Sequence, residues 1–96
     1  MNDKIFCVYI MTNGHNTVLY TGMTSYLPGR VWQHKSKVVE GFTKRYSASK
    51  LVYYEVHPTA LSAITREKQI KSWSRARKEE LIRQFNPTWH DLSDQL

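Results

Sequence analysis

Cysteine, proline and glycine are scarce in this chain: one, three and four among 96 residues. The lone Cys7 has no partner for an internal disulfide, which suits a reducing compartment. His15, His34, His57 and His90 lack the spacing of a zinc site, and no His-Glu-x-x-His or Cys-x-x-Cys occurs. No glycine-rich phosphate loop is present either. Nowhere do eighteen apolar residues run together, so no membrane-spanning helix is expected. The first residues show no basic stretch followed by an apolar run and a small-residue cleavage site, so the expected location is the cytoplasm. Without internal repeats, low-complexity tracts or linkers, residues 1–96 read as one domain, able to bury roughly 60–70% of its unfolded surface.

Acidic residues are the other shortage. Eight Asp and Glu stand against fourteen Lys and Arg, a net charge of +6 and a pI near 9.6. The excess is segregated. Arg30, Lys35, Lys37, Lys44, Arg45 and Lys50 face only Glu40 within their stretch, and seven basic residues between Arg66 and Arg83 face Glu67, Glu79 and Glu80. Such segregation favours a polyanionic partner, most often nucleic acid. Charge alone fits a merely solvated surface equally well.

The element pattern is short and mixed. Lys4–Thr12 is rich in β-branched and aromatic residues and reads as a strand. Asn13-Gly14 marks a turn, and Val18–Thr24 makes a second strand, closing a hairpin. Gly22 within that strand suggests a bulge or a close backbone approach. Pro28 suits the first turn of a helix running to about Lys37, and 38–49 reads as a loop. Lys50–His57 is a third strand, stopped by Pro58. Thr59 is placed to cap a helix over Ala60–Trp73. After a break near Ser74, a short helix spans Arg77–Phe85 and ends at Asn86-Pro87. The expected fold is α+β, with a small three-stranded, mainly antiparallel sheet flanked by helices in the order ββαβαα.

Three groups of residues break their local pattern. Glu67 shares a helical stripe with Ala60, Ala63, Ile64, Ile70 and Trp73, where a carboxylate is costly unless paired or bound to a metal. Its plain explanation is an i,i+4 pair with Lys71. Arg30 and His34 project from one helix face; arginine can grip a phosphate bidentately and histidine can move a proton. Their plain explanation is a surface pair beside Lys35 and Lys37. Tyr9 and Tyr20 lie on adjacent hairpin strands, where two tyrosines are commonly packing alone.

Together these positions resemble the GIY-YIG endonuclease superfamily. Cys7-Val8-Tyr9 and Tyr20-Thr21-Gly22 match its two signature elements, with the tyrosines eleven residues apart. Arg30 matches the superfamily's catalytic arginine, with His34 four residues on. Glu67 matches its metal-binding glutamate, and Asn86 the asparagine near the domain end. The match covers nearly the whole chain and is most similar to small stand-alone bacterial members that consist of the nuclease domain alone. Three positions depart from the pattern: Cys7 replaces the first glycine, Thr21 stands where an aliphatic residue is usual, and Met23 stands where some members carry lysine.

The resemblance implies hydrolysis of phosphodiester bonds in DNA, with RNA left open, using one divalent cation, Mg²⁺ or Mn²⁺. It implies Tyr9 as general base, Arg30 on the scissile phosphate, Glu67 on the metal, and Tyr20 and His34 as orienting groups. Gly22 and Asn86 support the site, Asn86 by fixing the terminal segment. Lys35, Lys37, Lys44, Arg45 and Tyr46 are candidates for nucleic-acid contacts. With no targeting domain in view, low intrinsic sequence specificity or a protein partner that supplies targeting is expected. Two rival readings remain: a catalytically silent nucleic-acid-binding module on the same fold, and a basic protein-interaction domain.

Overall fold

A computed structural model describes residues 5–36 and 47–96. In chain order the elements are strands β1 (Phe6–Thr12) and β2 (Leu19–Thr24), helix α1 (Leu27–Lys35), strand β3 (Lys50–His57), helices α2 (Ala60–Lys71) and α3 (Arg75–Phe85), and a 3-10 turn at Leu92–Gln95. The ββαβαα order and the α+β class stand as expected. The sheet runs β2-β1-β3, and both pairings are antiparallel. The unbroken apolar run of β1 explains its central place, since a strand covered on both faces has no need to alternate.

Period-two geometry divides the sheet into two packed faces. Cys7, Tyr9 and Met11 point toward α1, where they pack with Leu27, Val31, Leu51 and Leu92. Val8 and Ile10 point the other way and pack with Val52, Ala63, Ile70 and Ile82. The sheet is thus a middle layer, with α1 on one side and α2 and α3 on the other. The hairpin turn is built by Asn13, whose Oδ1 accepts from the Thr17 and Val18 amides at 2.8 and 3.3 Å. Its left-handed residue is Asn16, φ 56°, rather than Gly14.

Several boundaries differ from expectation for local reasons. Helix α1 stops at Lys35, where the Ser36 amide donates to the Trp32 carbonyl at 2.9 Å; Lys37 lies outside the described residues, as do Lys4 and most of the 38–49 loop. Helix α2 stops at Lys71 rather than Trp73, because the Ser72 hydroxyl turns back onto the Gln69 carbonyl at 2.7 Å and competes with further helix. Helix α3 starts two residues early because Ser74 caps it, accepting from the Arg77 amide at 3.2 Å. The sheet's register irregularity falls between Ile10 and Met11 opposite β3. Gly22 is paired regularly with Tyr9, so its role is the close approach and not a bulge.

Candidate active site

Because Tyr9 and Gly22 are cross-strand partners, the missing side chain at 22 leaves room for the Tyr9 ring to lie across edge strand β2. A Cβ on Gly22 would sit 2.6 Å from the Tyr9 hydroxyl oxygen and 3.0 Å from Tyr20 Cε1. From there the hydroxyl reaches His34 Nε2 at 3.0 Å. Tyr20 completes a three-ring cluster, with centroids 6.3 Å from Tyr9 and 5.4 Å from His34. His34 belongs to the apolar stripe of α1 with Leu27 and Val31 and is 1% exposed. Its Nδ1 is buried with no hydrogen-bond partner.

Two charges frame the cluster. Arg30 lies one turn before His34 on α1, half-buried, and pairs with no carboxylate among the described residues. Glu67 comes from α2, which packs on the opposite face of the sheet, and its negative charge is the least of the influences on the Tyr9 phenol. The Glu67 side chain is 18% exposed and its carboxylate meets Lys71 Nζ at 3.2 Å, so the i,i+4 pair does form. Burial, then the Tyr20 hydroxyl, hold the Tyr9 phenol well above its ordinary pKa; Arg30 works against them and Glu67 adds to them. Burial and then the positive Arg30 lower the His34 pKa to about 4. At neutral pH the free protein therefore carries a neutral phenol bonded to a neutral imidazole. With the ring proton assigned to Nδ1, Nε2 accepts from the phenol.

The remaining sequence candidates are scattered. Lys35 is engaged elsewhere, donating to Asp91 Oδ2 at 2.5 Å and to the Ser49 carbonyl at 2.9 Å. Asn86 is buried and donates to the Val52 and His90 carbonyls at 3.1 and 2.8 Å, tying the terminal segment to β3. Lys37, Lys44, Arg45 and Tyr46 lie outside the described residues. Much of the second basic stretch is internally engaged. Arg66 meets Glu55, Arg75 meets Glu79 and Arg83 meets Glu80, while Arg77 stacks over Trp73 at 4.1 Å.

Sequence reasoning passed over a cavity beside Arg30. About 330 Å³ in volume, it is lined by Thr24, Tyr26, Gly29, Arg30, Trp32 and Gln33. Tyr26 and Trp32 are 67% and 63% exposed. The signal was available: Trp32 falls off the 27-31-34 stripe that faces the sheet, so an amphipathic helix gives it no core position.

A three-stranded antiparallel sheet that brings two tyrosines against a helical arginine and histidine, with a glutamate on the helix behind the sheet, defines a small α+β domain. Residues 5–80 match the family described as the GIY-YIG catalytic domain. The chain belongs to that family, a family of nucleases. It is 35% identical over 81 residues to a UPF0213 protein of Haloquadratum walsbyi, spanning 84% of this chain and 89% of that one. It is 41% identical over 81 residues to a UPF0213 protein of Syntrophus aciditrophicus, spanning 83% and 91%. Similar proteins are thus archaeal as well as bacterial. Among solved structures, it is similar to the solution NMR structure of a UPF0213 protein from Bacillus halodurans, with a TM-score of 0.52, 28% identity, and 81% and 82% of the two chains covered.

Proposed function

We propose that this chain is a divalent-metal-dependent endonuclease that hydrolyses phosphodiester bonds in DNA. The observation that carries this reading is the Tyr9 hydroxyl, bonded to His34 at 3.0 Å and acted on by the charges of both Arg30 and Glu67. Arg30 holds the scissile phosphate. That phosphate offsets the positive field that helps keep the His34 pKa low, so substrate binding makes the imidazole a better proton acceptor. As water adds to phosphorus, its proton passes to the Tyr9 oxygen while the Tyr9 proton moves to His34 Nε2. The ester P–O bond then breaks and the leaving oxygen takes a proton from solvent. A free tyrosinate, which burial disfavours, is then never required. Tyr20 closes the third side of the cluster and keeps the two rings in register.

The residues fit a hard cation held by few protein ligands. No group of three His, Cys, Asp or Glu able to hold a metal occurs among the described residues. Glu67 would hold Mg²⁺ or Mn²⁺ through its one carboxylate, as suits a cation that usually keeps several waters. When bound, the cation supplies positive charge to the pentavalent phosphate and the leaving oxygen. Lys71 is the competitor that must let go of Glu67.

The test is cleavage of labelled duplex, single-stranded and branched DNA with Mg²⁺, Mn²⁺ or EDTA. Glu67→Ala and Arg30→Ala should each lower turnover by about 10²–10³. Glu67→Ala should bind nucleic acid as well as the wild type, and Arg30→Ala less well. Cleavage by Glu67→Ala at the wild-type rate would remove the metal role. A wild type that binds DNA but cuts nothing with any metal would leave a binding module in place of an enzyme.

A further inference from the structure

We infer that the cavity beside Arg30 is a nucleobase subsite, with Tyr26 and Trp32 as stacking walls for an unpaired base of the strand whose phosphate Arg30 holds. The inference rests on the nuclease reading for that phosphate and extends it to the form of substrate. Two large aromatic side chains, 67% and 63% exposed, pack in neither core cluster. Both line one cavity with Arg30 and no carboxylate.

The Tyr26 ring lies beside the first turn of α1. It rests on Gly29, where a Cβ would come within 2.7 Å of Tyr26 Cδ2. A glycine within a helix costs about 1 kcal/mol relative to alanine, so its presence in the first turn of α1 has a use. Gln33 and Thr24 complete the lining, the Thr24 hydroxyl accepting from the Tyr26 amide at 3.1 Å. Two electron-rich rings lining one cavity beside a guanidinium suit a base with its adjoining phosphate. In a duplex, both faces of each base are covered by its neighbours. Only an unpaired or splayed base offers a face to Tyr26 or Trp32.

Fluorescence anisotropy in EDTA separates binding from turnover. The probes are labelled oligo-dT, oligo-U, a DNA duplex, and an abasic sugar-phosphate oligomer of the same length and charge. Wild type should bind oligo-dT or oligo-U more tightly than the abasic oligomer, and the tighter of the two identifies the sugar. Trp32→Ala and Tyr26→Ala should each weaken that binding roughly tenfold and leave the duplex and abasic affinities within about twofold. Trp32→Phe should restore most of the loss. Both side chains are exposed, so thermal unfolding of the variants should match the wild type. Equal losses on abasic and base-bearing oligomers, or no loss, would overturn the subsite while leaving the nuclease reading intact. Failure of the wild type to bind any of the four probes would overturn both.

Discussion

Thr21 and Gly22 are neighbours in β2 that point to opposite faces of the sheet, and a single added or exchanged group acts oppositely at the two. Thr21, opposite Ile10, is buried, and its hydroxyl has no hydrogen-bond partner. Thr21→Val keeps the shape and removes an unsatisfied polar atom, so it should stabilise the fold by about 1 kcal/mol. Gly22→Ala places a methyl group 2.7 Å from Tyr9 Cζ, and the ring has nowhere to go while its hydroxyl is bonded to His34. That substitution should destabilise by about 1–3 kcal/mol and also depress cleavage, because Tyr9 must leave His34. Urea unfolding and a cleavage assay on the two variants check the contrast. A Gly22→Ala protein as stable and as active as the wild type would mean that the Tyr9 ring does not depend on this opening. Both positions were visible in the sequence, Thr21 as a hydroxyl where an aliphatic residue is usual and Gly22 as a glycine inside a strand. What a linear sequence could not supply was the cross-strand register that puts Tyr9 over Gly22.

At the junction of β3 and α2, Tyr53, Glu55 and His57 share one face, and Arg66 closes on them from the helix. Glu55 accepts from the Tyr53 hydroxyl, from His57 Nε2 at 2.5 Å and from Arg66 Nε at 3.0 Å. His57 Nδ1 lies 3.2 Å from Ser62 Oγ, which joins the group to the N-terminal turn of α2. Burial alone would raise the Glu55 pKa, but bonds from Tyr53, His57 and Arg66 outweigh it and hold it below the ordinary 4.5. A depressed carboxyl gives stability that is present above its unfolded pKa and lost as pH falls through the folded one. His34 acts in the same direction over a higher range. The unfolded chain takes up that proton near 6.5 and the folded chain only near 4, so stability falls as pH drops between them. Urea midpoints should therefore decline first from about pH 6.5 to 4 and then further on the acid side of pH 4.5. Glu55→Gln should cost about 1–3 kcal/mol at pH 7 and shrink the lower part of the decline without touching the upper. Asp91 carries the remainder, because its burial is outweighed by bonds from Lys35 and Ser93 that hold it low as well. An unchanged acid limb in Glu55→Gln would assign that limb to other groups. The i,i+4 pair of Lys71 and Glu67 could be anticipated from spacing; the Glu55–Arg66 pair, eleven residues apart, depends on how α2 docks.

At the scale of the molecule, the order of elements was legible because each is short, periodic and bounded by a turn, a proline or a capping side chain. The distribution of usable charge was not, since sequence counts a lysine the same whether or not a carboxylate faces it. Among the described residues, carboxylates engage much of the second basic stretch. Arg66, Lys71, Arg75 and Arg83 each meet an acidic side chain, and Arg75 also binds the Thr17 and Asn16 carbonyls of the hairpin turn at 2.7 Å. In the first stretch Lys35 is held by Asp91, while Arg30 pairs with no carboxylate among the described residues. Lys37, Lys44 and Arg45 share that stretch with a single acidic residue, Glu40. By charge count along the sequence, the first stretch is the expected source of most phosphate contacts. Each phosphate neutralised adds about −0.9 to the log–log dependence of duplex binding on salt, and about −0.7 on single strands. Replacing Lys44 and Arg45 together with Gln should make the duplex slope shallower by about 1.8. Arg83→Gln should leave it unchanged, because that guanidinium already sits 2.6 Å from Glu80. Anisotropy titrations over a range of salt concentrations measure the slopes directly. Equal slopes in wild type and the Lys44/Arg45 double variant, with a shallower one in Arg83→Gln, would move the nucleic-acid path from the first stretch to α3.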